Sequence, residues 1–271
     1  MNSVNKTLYI PLYGKAYVSK KGIILQDTKA EEIWNAEGFS LKGKSKSKWL
    51  AYYMGMRSAV FDEWLRRKIR EYPDAVILHI GCGMDSRVHR VGCGGNNWYD
   101  VDFPEVVAER SRYYAESDGY HMLGADIRGE NWIGTIPKSS HTIVVMEGVS
   151  MYLTFEELQA LLRTLRGYFE NVSLLMDCYT VFAAKASRYK NPINDVGVTR
   201  VYGIDDPKLL EDTGLSFRAE HEMTPDWMIN ELTGMEKRIF KHVFGGKLSR
   251  KMYRLYEYRT DGILCPTKQP G

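Results

Sequence analysis

Residues 75–83 read AVILHIGCG, a short apolar run that ends in a glycine-x-glycine turn, and no other segment limits the fold as much. The run has strand length, and unbroken apolar character instead of alternation marks a strand covered on both faces. Ahead of it, Trp49, Tyr53, Met56, Val60, Trp64 and Leu65 recur at helical spacing over residues 49–71, and Pro73 closes that helix. Comparable runs follow at 97–101, 141–146 and 172–176, each bounded by turn residues or charges. In TFEEL, Thr154 and Glu157 form a capping box, and Leu158, Leu161, Leu162 and Leu165 give the helix after it an apolar stripe. Buried strands alternating with helices predict an α/β fold, a mostly parallel sheet with helices on both faces.

Toward the C-terminus the pattern changes. Residues 180–203 carry Tyr189, Pro192, two Asn and two Gly without a sustained period and read as a loop or lid. Asp206-Pro207 starts a short helix that Gly214 ends, 215–221 reads as a strand, Thr224-Pro225-Asp226 opens another helix, and 251–259 alternates as a strand. The last two strands are expected to pair as a hairpin on the sheet edge. With no internal repeat and no Pro- or Ser-rich linker, the expectation is one domain over 1–271. It divides into an N-terminal helical extension or cap (1–72), a ligand-binding half (73–178), and a substrate-side segment with edge strands (179–271).

Composition removes several function classes. Hydrophobic residues make up 44% of 271, enough for a core without staples. The balance of 37 Lys+Arg against 34 Asp+Glu leaves a formal charge of +3. A pI near 8.5 is below what a nucleic-acid domain shows, so no nucleic acid is expected. The one basic cluster, LKGKSKSK around Lys42 to Lys48, is interrupted by Gly and Ser and reads as a solvated loop. Cys82, Cys93, Cys178 and Cys265 are scattered, arguing against zinc and disulfides. With no apolar leader and no stretch near the ~18 apolar residues of a membrane span, a cytoplasmic protein with no membrane partner is expected.

The glycine turn closes a strand, where open α/β sheets bind ligands. Ser86 stands where the dinucleotide fingerprint wants its third glycine, which weakens a pyrophosphate reading. Asp102, closing the next strand in WYDVDFPEV, suits an acceptor for both ribose hydroxyls or a helix cap near Pro104; the glycine turn beside it favours the ribose. Arg57 lies on the first long helix beside its apolar stripe and needs a partner, either a protein carboxylate or a ligand carboxylate gripped by its fork. Asp126 and Glu147 each follow an apolar stretch and reach the same sheet edge, where an adenine amino group or an α-ammonium needs acceptors. His79, inside a buried strand, reads as a core residue. A zinc metalloprotease helix, a G-x-S-x-G elbow and a P-loop are all missing. The residues alone leave a nucleotide-type site open to an S-adenosylmethionine enzyme or an NAD(P)-dependent oxidoreductase, with a non-catalytic interaction module the weaker third.

Six strings in order resolve that choice by resemblance: IPLYGKA (10–16), MRSAVFD (56–62), IGCGMDSR (80–87), YDVDFPEV (99–106), ADIRGENW (125–132) and EGVSMYL (147–153). With them the chain resembles the leucine carboxyl methyltransferase superfamily, in particular its bacterial polyketide-type (tetracenomycin-like) O-methyltransferase branch. The resemblance implies a Rossmann-like class I S-adenosylmethionine-dependent methyltransferase, with S-adenosylhomocysteine as product and a carboxylate or phenol of a small polyketide-like metabolite as acceptor. It implies that Lys15 and Arg57 reach the methionine carboxylate and that Gly81 and Gly83 line the cofactor's path. Asp102 would take the ribose hydroxyls, Asp126 with Ile127 the adenine, and Glu147 a place near the methionyl part. Asp85-Ser86-Arg87 would support the turn without direct chemistry, and neither a metal nor a catalytic base is implied. A carboxylate is ionised at neutral pH, whereas a phenol wants a base, and no His-Asp pair stands out in the sequence. A carboxylate acceptor is therefore expected, with Arg188, Lys190 and Arg200 as candidates to receive it.

Overall fold

A computed structural model describes residues 4–36, 43–187 and 200–260. Helices α1 (Val4–Lys20) and α2 (Thr28–Ala36) precede the long α3 (Lys48–Glu71), so the N-terminal extension is helical as its sequence suggested. The sheet strands follow as β1 (Val76–Ile80), β2 (Asn97–Asp102), β3 (Tyr120–Gly124), β4 (Thr142–Met146) and β5 (Val172–Tyr179). The intervening helices are α4 (Arg87–Val91), α5 (Pro104–Arg110) and α6 (Phe155–Tyr168). After α7 (Val181–Ala186) come β6 (Ser216–His221), three short helices, α8 (Asp226–Ile229), α9 (Gly234–Val243) and α10 (Gly246–Met252), and finally β7 (Tyr253–Arg259).

The strands form one seven-stranded sheet in the order β3-β2-β1-β4-β5-β7-β6. β1 to β5 are parallel, and β7 runs antiparallel to both β5 and β6. The last two strands thus pair as anticipated, but their connection carries three helices and the later strand lies inside, leaving β6 at the edge. β3 was not read as a strand from sequence. Among the described residues no helix is long and apolar enough to cross a membrane.

Alternation along β1 explains the two cores. Ile77 faces one layer with Phe61, Trp64 and Leu65 of α3, whereas Val76, Leu78 and Ile80 face the other with Leu158, Leu161, Leu162 and Leu165 of α6. Thr154 caps α6 as anticipated: its hydroxyl accepts from Glu157 N at 3.1 Å, and Glu157 Oε2 accepts from Thr154 N at 2.7 Å. α1 lies directly on α3, because a Cβ on Gly55 would stand 2.8 Å from Val18 Cγ2. That close crossing carries Lys15 to the sheet's carboxyl edge.

Register sets the site. Ile80 pairs with Val101 and with Met146, and Met146 pairs with Met176. Gly81, Glu147 and Asp177 are therefore each one residue beyond a single paired row, on three adjacent strands. The strand order reverses between β1 and β4, the crevice where open α/β sheets take ligands.

Candidate functional site

One cavity of about 840 Å³ opens at this edge, and Lys15, Arg57, Gly81, Gly83, Asp102, Asp126, Ile127 and Glu147 all line it. The glycine turn forms its floor. Gly81 has φ +67°, and a Cβ there would meet Val149 Cγ2 at 2.2 Å, so no other residue fits. The Gly83 peptide is clamped from both sides: its N–H donates to Asp102 Oδ2 at 2.8 Å, and its carbonyl accepts from Arg110 Nη1 at 3.0 Å. Asp102 Oδ1 accepts from Phe103 N at 2.8 Å. Burial pushes the Asp102 carboxyl up, against the pull of these two backbone N–H groups. Each oxygen keeps a second lone pair, which is what a ribose diol requires.

Behind the turn runs a continuous chain of buried ion pairs. Arg57 Nη1 donates to Asp177 Oδ2 at 2.9 Å and its Nε to Glu147 Oε1 at 2.9 Å. Glu147 Oε2 accepts from Arg87 Nη2, and Arg87 Nε donates to Asp62 Oδ1 at 2.7 Å. Arg90 joins Asp62, Asp27 and Asp85, and Lys15 Nζ stands 3.1 Å from Asp85 Oδ2. Four cations thus face five carboxylates, an excess of one negative charge. Burial opposes ionisation of Glu147, but Arg57 and Arg87 outweigh it and hold the carboxyl at about 2. At Asp177 burial prevails and pushes the carboxyl up, despite Arg57 and the Gly148 N–H.

Arg57 meets protein carboxylates and still borders the cavity. Protein carboxylates occupy Nε and Nη1, while Nη2 makes no hydrogen bond among the described residues and the side chain lines the cavity. Asp85, Ser86 and Arg87 hold the turn through this network, with the Ser86 hydroxyl donating to Asp27. Ile127 faces the cavity from the loop after β3. Asp126 is already engaged: Arg128 donates to it from N at 3.0 Å, from Nε at 2.9 and 3.1 Å, and from Nη2 at 2.5 Å. Three N–H groups of Arg128, one shared between both oxygens, thus engage the carboxylate, so an adenine amino group would compete with the Arg128 side chain for Asp126.

Several expectations need correction. Arg200 stacks over Tyr202 at 5.3 Å and is not among the described residues that line the cavity; Arg188 and Lys190 lie outside the described residues. Lys42 lies outside them too, and Lys48, read as part of a solvated loop, opens α3 and pairs with Glu236 of α9 at 2.7 Å. A His-Asp pair does exist: His79 Nδ1 is 3.1 Å from Asp100 Oδ1, and the ring touches the cavity. Its Nε2 faces Arg87 Nη1 at 3.2 Å, so both nitrogens are engaged and the core reading of His79 holds. Sequence reasoning missed Asp177, although it follows an apolar run as Glu147 does. It also missed Tyr53, Tyr152, Tyr179 and Tyr253, which line the cavity from four separate elements with no shared motif.

Residues 6–166 match the model of the leucine carboxyl methyltransferase family. The chain belongs to that family. It is 29% identical over 262 residues to the tetracenomycin polyketide synthesis O-methyltransferase TcmP of Streptomyces glaucescens, covering 95% of this chain and 97% of the relative. It is 25% identical over 243 residues to the S-adenosyl-L-methionine-dependent methyltransferase dpfgK of Gibberella zeae, covering 80% and 82%. Among solved structures it resembles the magnesium protoporphyrin IX methyltransferase of Synechocystis PCC 6803 with bound S-adenosylhomocysteine, at TM-score 0.52 and 15% identity, covering 87% of this chain and 95% of that one. That likeness is one of fold. The family member described here is an S-adenosylmethionine-dependent methyltransferase, and the oxidoreductase alternative is not supported.

Proposed function

We propose that this methyltransferase alkylates an oxygen, a carboxylate before a phenol, on a small apolar metabolite of polyketide type, as the name of its Streptomyces relative suggests. The observation that supports it is the convergence of glycine turn, Asp102 and Arg57 on one cavity whose remaining lining is largely aromatic and aliphatic. In this reading 1–72 caps the site, 73–178 holds the cofactor and 179–271 faces the acceptor, all within one domain.

The bound cofactor supplies an electrophilic methyl group on a sulfonium centre. Asp102 would accept hydrogen bonds from the ribose hydroxyls, while Gly81 and Gly83 would let the backbone approach. Arg57, through Nη2, and Lys15 grip the methionine carboxylate. Glu147 fixes the Arg57 fork and lies beside the methionyl part. Ile127 would pack on the adenine, and Asp126 would accept from its amino group in place of Arg128. An acceptor that is already ionised needs no base, so the chain's share of catalysis is orientation and exclusion of water.

Calorimetric titration with S-adenosylhomocysteine, with NAD and NADP in parallel, tests the reading. Micromolar binding of the first ligand alone is expected. Asp102→Ala should weaken it by ~1.5–3 kcal/mol, the worth of hydrogen bonds to a charged acceptor. Unchanged affinity in a folded variant removes Asp102 from the ribose site, and binding of a nicotinamide cofactor instead overturns the whole reading.

A further inference from the structure

Of the ten large hydrophobic side chains exposed among the described residues, six lie between positions 227 and 252: Trp227 on α8, Met235, Ile239 and Val243 on α9, and Leu248 and Met252 on α10. Met235, the most exposed at 75%, stands one turn from Ile239 and two from Val243, and Leu248 stands one turn from Met252. Each of the two helices thus turns an apolar stripe to solvent. The other side of α9 is anchored: Phe240 is buried, and Glu236 accepts from Lys21, Lys48 and Tyr52. Lys241 ties α9 to α8 through Asp226, the neighbour of Trp227, at 3.0 Å. Val243, Leu248 and Met252 also line the cavity, so the apolar surface runs up to its mouth.

Cations accompany that surface. Residues 234–252 hold six Lys or Arg against the single acid Glu236, a local excess of five in a chain whose formal charge is +3. Arg238, Lys247 and Lys251 each stand one residue before an exposed apolar side chain, Ile239, Leu248 and Met252 in turn. All three are exposed and make no ion pair among the described residues. A row of free cations therefore runs beside the apolar row on both helices.

We propose that this face of α8 to α10 docks the protein on an anionic lipid bilayer, apolar side chains dipping below the headgroups, cations meeting them, and the cavity mouth turned to the membrane. The proposal goes beyond the methyl-transfer reading and does not depend on it. Interleaved Lys, Arg and large apolar residues on short surface helices are the composition of an interfacial contact, and an exposed Trp is the side chain that favours the headgroup level. A second copy of the chain suits the face poorly, because a two-fold contact sets this excess of positive charge against itself. A soluble acidic protein would meet the cations but must match the apolar stripes in shape, a demand that a fluid bilayer does not make. The expectation of no membrane partner rested on the lack of a spanning stretch, which a contact assembled from three short helices does not need.

The test is co-sedimentation of the full chain with vesicles of phosphatidylcholine alone and of phosphatidylcholine mixed equally with phosphatidylglycerol. Wild type should pellet with the mixed vesicles at low salt, release at high salt, and stay in solution with phosphatidylcholine alone. The triple substitution Arg238→Gln, Lys247→Gln, Lys251→Gln should weaken the partition about 100-fold, at roughly fivefold per cation. Met235→Ser with Ile239→Ser should weaken it roughly 10-fold through lost apolar contact. Trp227 emission should shift to the blue on the mixed vesicles, and that shift should vanish in Trp227→Phe. All these side chains are exposed, and each variant should keep the wild-type urea midpoint. Equal pelleting with both vesicle types, wild-type partition in the triple variant, or a blue shift that persists in Trp227→Phe overturns the docking face. So does binding of soluble poly-L-glutamate without binding of the mixed vesicles, which would assign the face to an acidic protein.

Discussion

The cavity has two walls made from opposite materials. Under the strand ends, Lys15, Arg57, Asp85 and Glu147 face the cavity, backed by Arg87, Arg90, Asp27, Asp62 and Asp177 in one unbroken chain of ion pairs. Across from it, α9 and α10 present Val243, Phe244, Leu248, Ser249 and Met252, with no charge among their described lining residues. Directional pairs in a low dielectric fix positions to tenths of an ångström but are costly to leave incomplete. Apolar contact is non-directional and follows area. A ligand of fixed chemistry suits the first wall, whereas a family can vary its acceptor by reshaping the second.

Arg57→Met strikes the charged wall hardest. It strips Glu147 and Asp177 of a partner while both stay buried, and breaking such a pair costs ~3–5 kcal/mol. Urea unfolding should show that loss. Affinity should fall more for S-adenosylhomocysteine than for 5′-methylthioadenosine, which lacks the carboxylate. Equal losses for both ligands would return Arg57 to a purely structural role.

The same contrast governs what could be read in advance. Strand ends announce themselves: an apolar run, then a glycine or an acid, gave Gly81, Asp102 and Glu147 from the chain alone, and helical spacing gave Arg57. Asp177 carries the same signal in VSLLMD, but the strand continues past it to Tyr179, and its complete burial is a tertiary fact. β3 escaped because its residues are mostly half-buried at the sheet edge, YHMLG showing neither alternation nor an apolar run. The ribose reading of Asp102 followed from its place beside the glycine turn, whereas the choice of cofactor and the individual adenine and methionine contacts came from family resemblance. The aromatic and apolar side of the cavity was illegible for a physical reason: Tyr53, Tyr179 and Tyr253 meet only because β7 inserts beside β5, and α9 is tied down by Glu236 reaching Lys21, Lys48 and Tyr52 across almost the whole chain.

Acid provides a second, smaller probe of the charged wall. Burial opposes ionisation of Glu147, yet Arg57 and Arg87 hold its folded-state carboxyl at about 2, below the ordinary 4.5. A depressed folded-state value means the stabilisation is complete above pH ~4.5 and is lost as pH falls toward 2. It is on the order of 3 kcal/mol. Chemical denaturation at stepped pH should show this limb in wild type and a flatter one in Glu147→Gln, which lacks the titrating group. An unchanged acid limb in that variant would assign it to other carboxylates, such as Glu257, also held at about 2.

The smallest effect should come from the apolar wall, and it separates the walls most cleanly. Leu248 is 51% exposed and Met252 39%, so Leu248→Ala and Met252→Ala remove little buried area and should change stability by no more than ~0.5 kcal/mol. Neither touches the ion-pair chain, so S-adenosylhomocysteine affinity should stay at the wild-type value. An apolar acceptor meets the trimmed surface directly, and at ~25 cal/mol per Å² its binding should weaken by a few tenths to ~1 kcal/mol per substitution. Acceptor KM measured at saturating cofactor reads that change with kcat little affected, because uniform binding is lost and no group at the reacting oxygen is altered. A matching loss of cofactor affinity would break the comparison: α10 would then be positioning the charged wall through Tyr53 and Ser249, and the two faces of the cavity would act as one.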